Sequence, residues 1–217
     1  MADKFSETRN FFWRDLEFIR DYVKNGDKIL DFGCGNGRLL ELFHAKVEPS
    51  QYIGLEISQK MVDVARSKYS GNNLKFEKIS GSDNLPFSDN YFNSIYSIAV
   101  FHHMPSHDYR LQTAKELYRV TKPGGHIIIT AWNLWQRKYI KNIFINWAYK
   151  IIGKSNLDWN DCYITFKNNK GEIFSRYHHA FHKSELKKLF HEAGFKIEKI
   201  AVIAGKNIIL MGKKIRA

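Results

Sequence analysis

Hydrophobic and polar positions along residues 1–134 follow two alternating patterns. Short, nearly continuous apolar runs predict buried strands, and apolar positions three or four residues apart predict helices. Strand patterns occur at residues 28–32, 52–55, 74–79, 94–98 and 126–130, and helix patterns at residues 17–22, 39–43, 58–65 and 109–121. Ser58 is expected to cap the third of these helices. Strands that alternate with helices are typical of βαβ units with a mainly parallel sheet.

The pattern changes after Trp132. Residues 135–154 predict a basic helix, and residues 156–175 predict a loop or short irregular structure. The chain then returns to regular elements, with a predicted helix at residues 184–193 and predicted strands at residues 196–202 and 207–213.

These elements predict an α/β fold with a seven-stranded, mainly parallel sheet, helices on both faces and an antiparallel last strand. No proline- or glycine-rich linker stands out, so we expect a single domain over residues 1–217. The basic segment at about residues 133–175 is expected to be an insertion near the carboxyl ends of the strands.

Charge is distributed unevenly along the 217 residues. The formal net charge is +12, but residues 1–134 carry 17 basic and 16 acidic side chains, whereas residues 135–217 carry 17 basic and 6 acidic ones. Such an imbalance indicates a polyanionic partner, either a nucleic acid or an anionic membrane surface. A basic surface that only keeps the protein in solution is the simpler alternative.

Two cysteines, Cys34 and Cys162, are too few for a disulfide framework or a cysteine-rich zinc site. We therefore expect no metal and a reducing, cytoplasmic location. The N-terminal residues are charged where a signal peptide needs an apolar run, and no stretch approaches about 18 consecutive apolar residues. We expect neither a secretion signal nor a membrane-spanning helix.

A glycine-rich loop follows the first predicted strand and precedes a helix. Its sequence is Asp31-Phe32-Gly33-Cys34-Gly35-Asn36-Gly37. Glycines allow positive φ and a close approach of the backbone to a ligand. A carboxylate beside the loop repels phosphate but suits an ammonium group, and Glu56, after the second strand, can accept both hydroxyls of a ribose. The combination predicts a cofactor with a ribose and a cationic amino-acid part.

The loop and its two acidic residues resemble the class I S-adenosylmethionine-dependent methyltransferases, which have a Rossmann-like fold. Residues 84–87 (Asn-Leu-Pro-Phe), 91–93 (Tyr-Phe-Asn) and 117–125 also resemble motifs of that family, so the likeness covers roughly residues 27–131. The resemblance implies S-adenosyl-L-methionine as the cofactor. It implies contacts from Asp31, Gly33, Cys34, Gly35, Gly37, Glu56, Ile57, Ser82, Asp83 and Ile98. Gly81 replaces the family's usual adenine-binding aspartate, and Asp83 or backbone groups are the candidates for that contact.

Three further segments are similar to the tRNA wobble-uridine carboxymethyl methyltransferases, which esterify the carboxylate of 5-carboxymethyluridine in the anticodon. They are residues 5–9 (Phe-Ser-Glu-Thr-Arg), residues 97–103 (Ser-Ile-Ala-Val-Phe-His-His) and residues 174–181 (Phe-Ser-Arg-Tyr-His-His-Ala-Phe). The resemblance implies tRNA as a partner and, as in eukaryotic members, a small activator subunit. Departures from the family pattern at Arg14, Thr165-Phe166 and Lys206-Asn207-Ile208 leave the exact nucleoside open.

Methylation of a carboxylate needs no general base, because a carboxyl group of pKa about 4 is already ionised at neutral pH. The enzyme must remove water from the carboxylate, orient it and hold it with cationic or hydrogen-bonding groups. Neither cysteine is expected to act as a nucleophile. The candidate acceptor-side residues are Arg9, His102, His103, Arg176, Tyr177 and His178.

The basic segment leaves a second interpretation open. Residues 135–154 combine lysines with Trp and other apolar residues, a composition typical of helices that lie on a membrane surface. The apolar residues are Trp135, Tyr139, Ile140, Ile143, Phe144, Trp147 and Ile151. The enzyme would then make peripheral membrane contact and methylate a small or lipophilic acceptor. A basic binding module that keeps a vestigial cofactor fold is a third alternative.

Overall fold

The computed structural model describes residues 14–44, 48–81, 84–167 and 171–216. Its main sheet has seven strands, β1 to β5 and β8 and β9. The first five are Lys28–Phe32, Gln51–Glu56, Leu74–Lys78, Phe92–Ile98 and Thr121–Trp132. A separate two-stranded sheet contains β6 (Asp161–Lys167) and β7 (Ile173–His179), and the chain returns to the main sheet with β8 (Lys196–Ile203) and β9 (Asn207–Lys213).

The strand order is β3-β2-β1-β4-β5-β9-β8. Strands β1 to β5 are parallel, and β9 is antiparallel to both of its neighbours. The prediction of a mainly parallel α/β sheet with an antiparallel last strand is confirmed. The order reverses between β1 and β4, and ligands of open α/β sheets bind at the carboxyl ends of the strands beside such a reversal.

Helices cover both faces of the main sheet. A 3₁₀ helix (Arg14–Tyr22), α1 (Leu39–His44) and α2 (Gln59–Lys68) pack on one face, and α3 (His107–Val120) and α5 (Lys183–Glu192) pack on the other. Strand β5 shows the two-residue period, because Ile127 and Ile129 join one buried cluster whereas Ile128 joins the opposite one. A strand buried on both faces appears in the sequence as a continuous apolar run.

The segment after Trp132 differs from the sequence prediction. Residues 156–175 were expected to be loop, but β6 and β7 form an antiparallel hairpin that packs on α4 (Arg137–Ile151). Cys162 and Ile164 point into this small core, whereas Tyr163 and Thr165 between them are exposed. The prediction was wrong because apolar side chains stand on both faces of the hairpin, with Tyr163 and Ile173 exposed, so no two-residue period marks the buried face. Packing on α4 supplies the stability that the local pattern lacks. We refer to α4, β6 and β7 together as the cap.

Ser58 does precede α2, but its side chain makes no capping hydrogen bond. Its backbone N–H instead donates to Oε1 of Glu56 at 3.0 Å, which ties the start of the helix to the end of β2. Among the described residues, no helix is long and apolar enough to cross a membrane.

Arg119, near the end of α3, holds the loop that precedes β4. Its guanidinium donates to the carbonyls of Leu85 and Phe87 at 3.1 and 2.8 Å and to both carboxylate oxygens of Glu116 at 2.8 and 2.6 Å. It also donates to Oδ1 of Asp89 at 2.7 Å. The five N–H donors of this planar guanidinium thus tie the loop to α3.

We predict that Arg119→Lys lowers the free energy of unfolding by about 2 kcal/mol, because an ammonium group cannot reach all of these acceptors and leaves charged hydrogen bonds unmade. Chemical denaturation followed by circular dichroism measures the change. Lys187→Gln, on the exposed side of α5, is the control and should shift the midpoint very little. Equal midpoints for the two variants would show that the fork does not hold the loop.

Candidate active site

The glycine loop lies between β1 and α1, at the reversal of strand order. The backbone N–H groups of Gly33 and Cys34 donate to the carbonyl of Leu55 at 2.7 and 3.0 Å. Gly33 has φ of +77°, and a Cβ there would lie 2.3 Å from Cγ2 of Val100. Only glycine therefore lets the loop curve back over the ends of β1 and β2 and stay against the segment after β4.

Asp31 is the last but one residue of β1 and lies at the floor of the site with 2% of its surface exposed. Its Oδ2 accepts a hydrogen bond of 2.6 Å from the hydroxyl of Tyr52. Burial raises the pKa of Asp31 to about 7, the hydrogen bond from Tyr52 opposes the rise, and the Glu56 carboxylate adds to it. With a pKa of about 7, Asp31 is only partly ionised at neutral pH, and a cationic ligand beside it would favour the ionised carboxylate.

Glu56 ends β2 and braces the loop from the other side. Its Oε2 accepts from the N–H of Gly35 at 3.1 Å and its Oε1 from the N–H of Ser58 at 3.0 Å. A carboxylate has about four lone-pair positions, and the two backbone hydrogen bonds use two of them. Glu56 can therefore still accept hydrogen bonds from two hydroxyls of a ligand. Two backbone hydrogen bonds also fix the orientation of the carboxylate before a ligand arrives.

These groups open into one cavity of about 630 Å³, large enough for a nucleoside joined to an amino acid. Its cofactor end includes several of the predicted residues: Asp31, Gly33, Cys34, Gly35, Glu56, Ile57 and Ile98. Gly37 is not among the residues that line it. Gly81 lines the cavity, but Ser82 and Asp83 lie outside the described residues, so the predicted adenine contact stays a prediction.

His103, Trp132 and Arg176 also line this cavity, as does Arg38, whose charge lowers the pKa of Asp31. Arg176 lies on β7 of the cap, with its guanidinium carbon 5.5 Å from the ring centroid of Phe166 and 5.7 Å from that of Phe174. Burial lowers the pKa of Arg176, but an arginine stays protonated at neutral pH. The structure thus places a cation on the cavity wall, held against two aromatic rings. Arg9, its predicted partner, lies outside the described residues.

The three predicted histidines form one cluster, but they do not all face the cavity. His102 and His178 are fully buried, and their rings stack on Trp132 at centroid distances of 5.3 and 5.4 Å. His103 lines the cavity in front of them. Burial lowers the pKa of His178 to about 4, with His103 adding to the shift, so His178 is neutral at neutral pH.

The hydrogen bonds assign a tautomer to each ring. The Nδ1–H of His178 donates to the carbonyl of Arg176 at 3.0 Å, and the Nδ1–H of His103 donates to the carbonyl of Tyr177 at 3.2 Å. His102 Nδ1 instead accepts from the N–H of Trp132 at 3.3 Å, so its proton is on Nε2. His178 was expected to donate a hydrogen bond to the methyl-accepting substrate, but its Nδ1–H donates to the β7 backbone at Arg176 instead.

The same tautomers decide whether the cluster suits a metal ion. Ligand atoms of His102, His103 and His178 lie within 4.8 Å of one another, which is close enough to be considered. A metal on Nε2 of His102 would require a proton on Nδ1, where the N–H of Trp132 already points. The arrangement therefore presents two outward lone pairs rather than three, and it does not favour a metal. The absence of a metal stays a prediction.

His179, which the sequence did not single out, connects the cap to α5. His179 is 3% exposed, and its Nδ1 and Nε2 lie 2.7 Å from Oδ1 of Asp161 and 2.6 Å from Oε1 of Glu185. Burial alone lowers the pKa of His179, but the two carboxylates outweigh it and raise the pKa. His179 is therefore an imidazolium that joins β6 and β7 to the first turn of α5.

Tyr177 belongs to this network rather than to the cofactor cavity. Its hydroxyl donates to Oδ1 of Asp161 at 2.8 Å and lies 3.4 Å from Nη1 of Arg110, so its proton is used inside the protein. The predicted direct contact of this hydroxyl with the acceptor therefore has a competing partner. Sequence position gave no sign of the network, because its members come from four separate segments.

Neither cysteine has the properties of a nucleophile. Burial raises the pKa of the Cys34 thiol, and it raises that of Cys162 to about 11. Both thiols are therefore protonated at neutral pH, and a protonated thiol is a poor nucleophile. The expectation from sequence agrees with these environments.

Comparison with known proteins identifies methyltransferases as relatives of this chain. Residues 30–129 match the model of a family described as a methyltransferase domain. The tRNA (carboxymethyluridine(34)-5-O)-methyltransferase of Schizosaccharomyces pombe is 29% identical over 214 residues, which cover 89% of this chain and 84% of that protein. The Arabidopsis thaliana protein with the same description is 35% identical over 133 residues, but the match spans only 30% of its length.

A relative with another described activity is equally similar. The demethylmenaquinone methyltransferase of Lactobacillus johnsonii is 32% identical over 218 residues, which cover 94% of this chain and 83% of that protein. Among solved structures, a SAM-dependent methyltransferase of Methanosarcina mazei has a TM-score of 0.75 at 20% identity and covers 95% of this chain and 100% of its own. A structure described as a complex between the Haloferax volcanii Trm112 methyltransferase activator and a methyltransferase has a TM-score of 0.69 at 19% identity, and the match covers 99% of this chain and 93% of that chain. At these identities the structures show a shared fold alone.

The fold, the glycine loop and the two carboxylates define an α/β enzyme that binds a nucleoside cofactor with a cationic amino-acid part. The chain belongs to the class I S-adenosylmethionine-dependent methyltransferases. When bound, the cofactor supplies an electrophilic methyl group on its sulfonium. Asp31 would hold the ammonium group of the cofactor, and Glu56 would hold its ribose hydroxyls. The backbone of the glycine loop would lie against the part of the cofactor that joins these two groups.

The pKa of Asp31 makes cofactor affinity depend on pH. The ammonium group of the ligand pairs only with the ionised carboxylate, so binding weakens as protonation of Asp31 increases. We predict that S-adenosylhomocysteine, which keeps the ammonium group, binds about fivefold to tenfold more weakly at about pH 6 than at about pH 7.5. Isothermal titration calorimetry measures the ratio. Asp31→Asn should bind more weakly and lose most of this dependence, whereas an unchanged pH profile would assign the titration to another group.

Loss of His179 is predicted to destabilise the protein. In His179→Leu, the carboxylates of Asp161 and Glu185 lose their shared cation, and the free energy of unfolding should fall by about 3 kcal/mol. His191→Leu, on the exposed side of α5, is the matched control.

The His179 contribution has a defined pH window. Because the pKa of His179 is raised on folding, its stabilisation of the protein is complete below the unfolded pKa and is lost as the pH rises through the folded pKa. The pKa values of Asp161 and Glu185 are lowered on folding, so these carboxylates stabilise the protein above their unfolded pKa values. The difference between wild type and His179→Leu should therefore be largest between about pH 4.5 and 6.5. Denaturation at several pH values measures it, and a difference that grows in alkali would contradict the imidazolium assignment.

Proposed function

We propose that this methyltransferase acts on tRNA and methylates the carboxylate of a modified wobble uridine, 5-carboxymethyluridine. The observation that carries the proposal is the position of Arg176 on the wall of the cofactor cavity. Asp31 and Glu56 suit the cationic and hydroxyl parts of the cofactor, and Arg176, which the cap contributes to the same cavity, suits an anionic acceptor. A carboxylate held there needs orientation and removal of water, not deprotonation.

Charge on the cap side supports a nucleic acid as the carrier of that acceptor. We take ten basic side chains after residue 134 as candidates for phosphate contacts. Eight of them are exposed, namely Arg137, Lys138, Lys141, Lys154, Lys167, Lys183, Lys187 and Lys188. Lys150 is instead committed to the carbonyl of Leu157 at 2.6 Å, and Lys170 lies outside the described residues. Contacts of this kind position RNA without reading its sequence. The similarity to two proteins described as tRNA carboxymethyluridine methyltransferases agrees with this assignment.

A small activator subunit and a cytoplasmic location complete the proposal. The activator is suggested by the shared fold with a methyltransferase that was solved together with Trm112. Activity of the chain alone, compared with activity after addition of a Trm112-type protein, tests this part. A rise in transfer or in solubility upon addition supports a two-subunit enzyme, and no effect at saturating partner argues for a chain that acts alone.

A lipophilic small molecule is the second candidate acceptor. Helix α4 and the residues after it expose Phe144, Ile145, Tyr149, Ile151 and Ile152, each by 43% or more, next to several lysines. An exposed apolar surface with basic residues is what peripheral membrane binding requires. The similarity to a demethylmenaquinone methyltransferase gives this alternative a second argument.

Methyl transfer from labelled S-adenosylmethionine distinguishes the two acceptors. Total tRNA from cells that lack the enzyme should accept label, and nucleoside analysis by mass spectrometry should place it on the carboxymethyl group. Affinity for tRNA should fall by an order of magnitude or more between about 50 and 200 mM salt. Label on a vesicle-borne quinone precursor, with none on tRNA, would replace this proposal by the second candidate.

Arg176→Ala is predicted to lose transfer and keep the cofactor. Removal of the arginine that the cap contributes to the cavity should lower kcat/KM about a hundredfold or more, since charged hydrogen bonds to the acceptor disappear. Affinity for S-adenosylhomocysteine should change less than about twofold. Arg216→Ala, an exposed arginine at the amino end of the sheet beside Gly124, is the control. Loss of cofactor binding in Arg176→Ala would move this residue from the acceptor side to the cofactor side.

A further inference from the structure

A second cavity of about 470 Å³ adjoins the cofactor cavity. His103 and Pro105 line both cavities, so they form a partition between the two. The second cavity is open to solvent and is otherwise lined by Ser106 before α3, by residues 156–158 and 161 between α4 and β6, and by Tyr163 and Tyr177 of the hairpin. A molecule whose reactive group reaches the cofactor through the first cavity therefore has a neighbouring space for its next unit.

The carboxylates of this cavity have different capacities for a ligand. Asp161 is satisfied by the hydroxyl of Tyr177 at 2.8 Å, by His179 at 2.7 Å and by the N–H of Asp158 at 2.9 Å. The side chain of Asp158 is 56% exposed, and its Oδ2 lies 3.8 Å from Nη2 of Arg110, which is longer than a hydrogen bond. Asp158 is therefore the acceptor that a ligand can use, and Asp161 is part of the frame.

The charged groups that line this cavity argue against a phosphate. Asp158 and Asp161 are carboxylates of the lining itself. The surrounding cations are already engaged by protein groups, since Lys150 donates to the carbonyl of Leu157 at 2.6 Å and His179 is paired with Asp161 and Glu185. A ligand with N–H donors and no negative charge is therefore favoured over a phosphate.

An aromatic wall indicates a flat ligand. Tyr163 is 52% exposed, and its ring meets that of Tyr177 edge-on at 6.3 Å between centroids. The backbone of Tyr163 is held in place, because its carbonyl accepts from the side-chain amide of Asn142 on α4 at 2.7 Å. An exposed tyrosine ring on a fixed strand is a platform on which a heterocycle can stack.

We propose that the second cavity binds the nucleobase next to the methylated uridine, with the base stacked on Tyr163 and an amino or imino N–H directed to Asp158. The inference rests on the proposed tRNA function and adds to it a site that selects the neighbouring nucleotide. Adjacent bases splayed apart around His103 and Pro105 would occupy the two cavities. The partition between them then fixes which nucleotide reaches the methyl group.

The test uses anticodon stem–loop RNAs that carry 5-carboxymethyluridine, with either neighbouring nucleotide intact or abasic. Equilibrium binding and methyl transfer are measured for wild type, Tyr163→Ala, Tyr163→Phe and Asp158→Asn. With wild type, one abasic position should raise Kd and KM about tenfold, which is the range of base stacking on an aromatic side chain. Tyr163→Ala should show the same loss with intact RNA and less than about a twofold further loss with the abasic RNA.

Tyr163→Phe should behave as wild type, because it keeps the ring. Asp158→Asn should change the preference among bases at that position. Tyr149→Ala, an exposed tyrosine on α4, is the matched control, and any effect it has should be equal for intact and abasic RNA. Binding that is insensitive to both abasic positions, or an equal loss in Tyr163→Ala with every RNA, would overturn the second site and leave the tRNA proposal intact.

Two other outcomes separate the proposals further. RNA that neither binds to wild type nor accepts methyl groups would overturn both. Spermidine that displaces RNA from wild type but not from Asp158→Asn would show that the cavity takes a cationic ligand, and this would overturn the assignment to a nucleobase.

Discussion

The position of the whole site follows from the reversal of strand order between β1 and β4. At that point the connections leave the two strands in opposite directions, so the carboxyl ends of the strands border an open crevice. The glycine loop after β1 and the segment after β4 then face one another, and Val100 lies so close to Gly33 that no side chain fits between them. Every other feature of the cofactor cavity is added to this arrangement.

The charged groups of this cavity are held by two different parts of the fold. Asp31 accepts from Tyr52 on β2, and Glu56 accepts from the backbone of Gly35 in the glycine loop, so both carboxylates are fixed by the main sheet and its loop. Arg176 belongs to the cap and is held by aromatic rings of the same hairpin. The carboxylates that suit a cationic cofactor are therefore set by the sheet, and the cap contributes an arginine to the same cavity.

Because the cap carries Arg176, the attachment of the cap matters for the chemistry. The His179 imidazolium joins the hairpin to α5, and the His103 and His178 rings each fix a backbone carbonyl of β7. His178 is neutral, and His179 is paired with two carboxylates. They support the wall on which the acceptor side is built, and the second cavity lies directly against the same network.

Much of this could be predicted from the sequence alone. The order of strands and helices, the loop from Asp31 to Gly37 and the acidic residue after β2 are local patterns, because buried parallel strands and tight glycine turns require particular residues at particular spacings. The uneven charge was also visible. The hairpin at residues 161–179 was not, since its strands carry apolar residues on exposed as well as buried positions and depend on α4 for burial. Nor could the sequence show that His178 is neutral, that His179 bridges two carboxylates or that Tyr177 turns away from the cofactor. Those properties depend on burial and on partners from distant segments, and only the tertiary structure brings these together.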